Sequence, residues 1–389
     1  MRDHVERRGV AVVVDDQLEV SSSPALSGVY EYAFPAIRGV QAGRVYFVSM
    51  CPLKLLSKMF VWDDDELPAE LRAQRTLNRG RIPEIVRYIE ENTASYTFSA
   101  ITASVDASVR FAPAQAAEAN SGLGTLRIPM DGRFIINDGQ HRRAAIEQAL
   151  RTNPELGDET IAVVFFLDKG LERCQQMFAD LNRHAVRPSP SIGVLYDHRD
   201  PLAAVSRTVA AQSPVLRGFV EQASTSLAKA SRKMFTLSAV NGSHKALFAR
   251  VTTLEHPEMV DVATGMWTAL DRQFPEWEMI RAKQVHAREI RRDFIHTHGI
   301  VLTALGRVCN TLLIDGVSVK RWPQRLAPLS KLDWARTNAD LWEGRAMVGG
   351  AVTKASNNVV LTTAALRLHL GMPLSPEEQK AEDNRKAHV

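Results

Sequence analysis

Seven consecutive residues, Asn137-Asp138-Gly139-Gln140-His141-Arg142-Arg143, gather an amide, a carboxylate, an imidazole and two guanidinium groups around one glycine. The apolar run Arg133-Phe134-Ile135-Ile136 precedes them as a strand. Ala144, Ala145, Ile146, Ala149 and Leu150 follow with helical spacing, so the polar cluster falls where a buried strand turns sharply into a helix. Gly139 lets backbone approach a ligand, and the first helical turn offers N–H groups that have no intrahelical partner. With the helix dipole these make an anion site, to which Arg142 brings a fork able to grip two phosphate oxygens and Arg143 adds further charge. His141 can donate a hydrogen bond or shuttle a proton; Asp138 either caps the helix or binds a magnesium ion carried by a nucleotide. The expected chemistry is phosphate binding, with Asp138, His141 and Arg142 as candidate catalytic residues and Gly139, Gln140 and Arg143 as candidate binding residues. A capping Asp-Gly turn followed by a solvated Arg pair has the same sequence, and that alternative stays open.

Stepping along the chain gives the elements that must hold this turn. Tyr30–Val48, with glycines at 39 and 43, reads as a β-hairpin. Pro83 opens a helix with Ile85, Val86 and Ile89 on its apolar stripe, and Asp63–Glu66 reads as a solvated helix start. Phe98–Val105 reads as a strand. Thr125–Ile128 and Arg133–Ile136 read as two strands joined by the turn Asp131-Gly132, and Thr160–Leu167 as a buried strand. Beyond residue 190 long apolar-periodic segments take over, at 191–220, 244–276, 278–314 and 359–370. The expectation is an α+β protein. It comprises an arm (1–29), a mixed α/β domain (30–190), a mostly helical domain (191–374) and a charged, flexible tail (375–389).

A formal net charge of +4 is only mildly basic, so distribution matters more than the total. The densest basic segment, read as one helix side, carries Arg281, Lys283, Arg288, Arg291 and Arg292; Lys229, Arg232 and Lys233 make a second cluster. Together they are the candidate DNA-contacting residues, against the alternative of a solvated face. His296 and His298 lie in an apolar helix without ligand partners, which argues against a metal there. Cys51, Cys174 and Cys309 form no CxxC pair and read as reduced thiols. Without a signal-peptide core or a membrane-length apolar run, the expectation is a cytoplasmic protein with no membrane partner. The chain contains no GxxxxGK[ST] loop and no GxSxG elbow.

The run Asp138-Gly139-Gln140-His141-Arg142 resembles the signature of DGQHR-domain proteins, and the wider pattern is similar to the DndB family of regulators associated with DNA phosphorothioation. Three further segments carry the resemblance. They are Gln74-Arg75-Thr76-Leu77-Asn78-Arg79, then Phe178–Ala185 with Asn182, Arg183 and His184, and finally Leu332-Asp333-Trp334 with Asn338 and Trp342-Glu343-Gly344-Arg345. The motif position also resembles the ParB and sulfiredoxin superfamily. Gln140 stands where sulfiredoxins carry their catalytic cysteine, so no thiolate is present for that chemistry. The resemblance implies a ParB/sulfiredoxin-like core that binds ATP with Mg2+, the latter through Asp138. Arg75, Asn78, Asn182, Arg183 and His184 would form further walls of the nucleotide site. It implies a DNA-binding negative transcriptional regulator of phosphorothioate-modification genes, acting as a homo-oligomer on double-stranded operator DNA and meeting the modification enzymes. An ATP-hydrolysing enzyme coupled to DNA nicking is the alternative.

Overall fold

The structure, a computed structural model, describes residues 18–19, 30–60, 79–114, 122–167, 176–177 and 188–387. Arg75, Asn78, Cys174, Asn182, Arg183, His184 and the Asp63–Glu66 run lie outside the described residues. The fold is α+β, and the chain divides into two units, Met1–Val186 and Arg187–Val389.

In the first unit, eight strands form one mixed sheet: β1 (Leu18–Glu19), β2 (Glu31–Gln41), β3 (Arg44–Pro52), β4 (Ile101–Asp106), β5 (Val109–Pro113), β6 (Leu123–Pro129), β7 (Arg133–Asp138) and β8 (Thr160–Leu167). The expected hairpin is β2–β3. Its two-residue turn places Ala42 at φ 51° and Gly43 at φ 75°, the paired positive values that match strand twist in tight hairpins.

The second expected hairpin does not form. β6 pairs with β5 and β2, whereas β7 pairs with β4 alone, and the strand order is β1-β5-β6-β2-β3-β8-β4-β7. The short link between Pro129 and Arg133 spans at most about 14 Å, yet five strand intervals in a flat sheet would need about 24 Å. The sheet must therefore roll. Aromatic contacts across the roll agree: Tyr32 of β2 meets Phe134 of β7 at 6.1 Å, and Phe47 of β3 meets Phe111 of β5 at 5.2 Å. Strand β8 alternates, with Ile161, Val163, Phe165 and Leu167 buried in this core. Three helices, α1 (Leu53–Met59), α2 (Ile82–Glu91) and α3 (Gln140–Thr152), bring Leu56, Ile89, Ile146 and Ala149 to the same core.

The second unit is helical: α4 (Pro190–Tyr196), α5 (Pro201–Gln212), α6 (Leu237–Leu247), α7 (His256–Asp271), α8 (Pro275–Arg281), α9 (Ala287–Asp293), α10 (Gly299–Ile314), α11 (Ser356–His369) and α12 (Pro376–Ala387). A Cβ on Gly306 would collide with the Ser243 carbonyl, so glycine lets α10 lie directly against α6. Three expectations are corrected here. The basic run 281–292 is not one helix side, because the chain turns between α8 and α9 with Lys283 at φ 60°. His296 and His298 sit in the α9–α10 connection; His296 Nδ1 accepts from Trp277 Nε1 at 3.0 Å. The charged tail is helix α12, docked through Glu382, which makes a bidentate pair at 3.0 Å with buried Arg345. Two of its carboxylates, Glu378 and Glu382, are buried. No helix among the described residues is long and apolar enough to cross a membrane.

Candidate functional site

The central motif begins on a bulge. Asp138 pairs with Thr102 and Ile136 with Ala103, leaving Asn137 as the extra residue of β7. The bulge turns Asn137 into the protein, where it is fully buried. Its Nδ2 donates to Ser104 Oγ at 2.8 Å and meets Met177 Sδ at 3.1 Å, while its Oδ1 has no partner. Gly139 follows at φ 107° as the residue before α3. A Cβ there would lie 3.0 Å from both Ile101 Cγ1 and the Arg142 guanidinium, so backbone angle and space both require glycine. As the N-cap, Gly139 supplies no side-chain hydrogen bond to the start of α3.

Two expected roles change. Asp138 does not cap the helix; its Oδ2 accepts from Arg142 Nη2 at 2.7 Å. Arg142 is not a free phosphate fork. It also donates to Ser99 Oγ at 2.6 Å and to the Ala100 carbonyl at 3.0 Å, tying the turn to the segment that enters β4. Arg143 points inward, pairs with Glu147 at 3.0 Å, and has its pKa lowered by burial against the pull of Glu147. Around the turn, four buried atoms lack hydrogen-bond partners: Asn137 Oδ1, Gln140 Nε2, Arg142 Nε and Arg143 Nε. Three orphan donors and one orphan acceptor within seven residues is far above what a settled interior tolerates.

His141 has its pKa lowered, first by burial and then by the charges of Arg81 and Arg142, with Asp138 opposing. It is therefore neutral at pH 7 and able to accept a proton. Arg81, in the turn before α2, is an electrostatic neighbour that sequence reading passed over in favour of Arg75. Ser99 and Ser104 were likewise unmarked; they reach the motif only because β4 pairs with β7.

A family model described as DndB, DNA-sulfur modification-associated, matches residues 34–373. The chain belongs to the DndB family. That membership links it to DNA sulfur modification, and the match takes in both the DGQHR turn and most of the helical unit. No curated protein and no solved structure matches the chain.

The basic residues of this DndB-family chain separate into two groups. Arg281 is locked in a bidentate pair with Asp271, both contacts 2.7 Å. Arg291 donates to the carbonyls of Ala228, Ser231 and Lys233, and Lys233 donates to the Gly218 carbonyl at 2.7 Å. Arg292 pairs with Asp293. Arg281, Arg291 and Lys233 tie separate stretches of chain together, whereas exposed Arg292 pairs only with its neighbour. Lys229, Arg232, Lys283 and Arg288 are exposed, and the pinning of the 228–233 loop by Arg291 sets them on one region next to α9. Arg232 and Lys283 share an open depression of about 560 Å³ with His286 and Glu289.

Ser206, His244 and Asn241 imitate a catalytic relay. Ser206 Oγ donates to Asn241 Oδ1 at 2.9 Å and meets His244 Nδ1 at 2.8 Å. Ser206 and His244 are fully buried, and His244 Nε2 accepts from Trp267 Nε1 at 2.8 Å, so the group is structural. Burial likewise raises the Cys51 thiol to about 12 and the Cys309 thiol upward, which makes both inert. No group of three or more metal-ligating side chains occurs among the described residues.

Proposed function

We propose that this protein is a DNA-binding negative regulator of the phosphorothioate-modification genes, and that its DGQHR turn binds ATP. One observation carries the nucleotide half: the four buried polar atoms without partners at Asn137, Gln140, Arg142 and Arg143. Unsatisfied donors beside an uncapped 13-residue helix fit a phosphate-bearing ligand, and the orphan acceptor of Asn137 fits a donor on the same ligand. In this reading the first turn of α3 and Gln140 hold phosphate oxygens, while Arg142 keeps the turn in shape and supplies charge through Nε. Asp138 would be the magnesium ligand through Oδ1, since Arg142 engages only Oδ2. Bound magnesium would neutralise phosphate charge.

The DNA half rests on Lys229, Arg232, Lys283 and Arg288, which are exposed and free of ion pairs among the described residues. A second copy of the chain would double that surface to match a palindromic operator, and the modification enzymes are natural further partners. A gel shift on DNA upstream of the modification genes tests this. Binding at about 150 mM salt no tighter than to random DNA would remove the regulator reading.

Hydrolysis of the nucleotide is a second reading, favoured by the lowered pKa of His141, which leaves a neutral imidazole beside the turn.

A further inference from the structure

The helical unit contains a cavity of about 610 Å³ with no counterpart in the motif chemistry. It opens between the N-terminal ends of α6 and α10 and the segment Val352–Lys354. Its size is ordinary for a small-molecule pocket, roughly 300–1,000 Å³. Its charge is not ordinary for a structural gap. Two cations, Arg291 and Lys354, line it, and no carboxylate does.

Neither makes an ion pair among the described residues. Arg291 spends its hydrogen bonds on backbone carbonyls. The Lys354 ammonium lies 3.3 Å from where a Cβ on Gly242 would stand and 3.8 Å from one on Gly299, so it sits against the first residue of α10. Desolvation alone lowers its pKa, with no opposing carboxylate. Beside it, α10 is a 16-residue helix whose N-cap, His298, provides no side-chain hydrogen bond. Thr297, immediately before, lines the cavity, is 5% exposed, and leaves its Oγ1 without any partner.

The ammonium of Lys354, an exposed residue with no ion pair among the described residues, and an uncapped helix start meet at one edge of the cavity. An oxyanion there would pair with the ammonium and meet the helix N-terminus. Further hydroxyls from Ser226, Thr236, Ser238 and Thr353 line the same space, while Leu227, Met234, Ile300 and Val352 supply an apolar wall. We infer that this cavity is a ligand site for a small organic phosphate. Its phosphate would lie between Lys354 and the first turn of α10, and its apolar portion on Met234, Ile300 and Val352. The site shares no residue with the DGQHR turn.

Calorimetric titration of the full chain with inorganic phosphate, ribose 5-phosphate and AMP tests this, in wild type, Lys354→Met, Thr297→Val and Gln140→Ala. At least one of the two organic phosphates should bind at least tenfold more tightly than inorganic phosphate. That binding should persist in Gln140→Ala and weaken at least tenfold in Lys354→Met. Thr297→Val, which removes a hydroxyl closed off from the cavity, should leave it unchanged without lowering the melting temperature of the ligand-free protein, since the hydroxyl has no partner to lose. Undiminished binding in a folded Lys354→Met protein overturns the site. So does loss of all binding in Gln140→Ala, or no binding of any probe at millimolar concentration. Equal affinity for inorganic and organic phosphates would reduce it to a bare anion site and overturn the assigned ligand.

Discussion

Lowering the pH from 7 to 5 should destabilise the helical unit through His244. Trp267 donates to Nε2 at 2.8 Å, so the single ring proton sits on Nδ1 and points at Ser206 Oγ. A second proton would face the indole N–H inside a fully buried site, and burial lowers the pKa from 6.5 to about 3. The folded value lies below the unfolded one, so the folded state binds fewer protons. The stability His244 contributes is complete above about pH 6.5 and drains away as pH falls toward 3. Between pH 7 and pH 5 the linkage amounts to about 2 kcal/mol. His296, also lowered to about 3 by burial, adds a similar amount, tempered by Glu276 at 3.6 Å. Carboxylates with depressed pKa values lose their contribution only at lower pH, so this window belongs to histidine. Five of the six tryptophans (267, 277, 322, 334 and 342) lie in this unit, so their fluorescence reports its urea unfolding. With an m-value of about 2–3 kcal/mol/M, the midpoint should fall by about 1–2 M. His244→Gln should be less stable at pH 7 yet lose roughly half of the pH dependence. A wild-type midpoint equal at pH 7 and 5, or a dependence untouched by His244→Gln, would refute the buried neutral imidazole.

Gly139→Ala places a Cβ at φ 107° and 3.0 Å from Ile101 Cγ1. It should cost about 1–3 kcal/mol in thermal unfolding and abolish ATP binding; an unchanged melting temperature contradicts the turn geometry. Glu382→Ala strands buried Arg345 and should destabilise by about 3–5 kcal/mol in urea, with Arg345→Met in the same chain restoring most of the loss. Neutralising Lys229, Arg232, Lys283 and Arg288 together should flatten the logarithmic salt dependence of DNA binding by about 3–4 per protomer, whereas neutralising Arg281 should disturb folding instead. Phosphate release from ATP should be slower in His141→Ala than in wild type if the turn hydrolyses nucleotide; equal background rates sink that activity.

Much of the motif's backbone was legible locally. A strand, a glycine and a helix in immediate succession allow little besides a sharp turn, and that is what Gly139 and α3 form. The roles of its charged side chains were not legible. Arg142 reads as a phosphate fork until Ser99 and Ala100, brought in by the β4–β7 pairing, claim it. The same limit split the basic residues. Arg281 and Arg288 read alike in sequence, and only the fold gives one a carboxylate partner and leaves the other to solvent. The docked α12 escaped notice because two carboxylates among many give no sign of which will be buried.

Sequence by itself determined the α+β class, the helical second half, the DGQHR turn and the family, because each is written in local order: apolar period, turn glycine, contiguous motif. Tertiary structure decided the rolling of the sheet, the partners of Asp138, Arg142 and Arg143, the division of the cations, and the Lys354 cavity. Those depend on which distant residues become neighbours, and a guanidinium or an ammonium acquires its function only from what lies within a few ångströms of it.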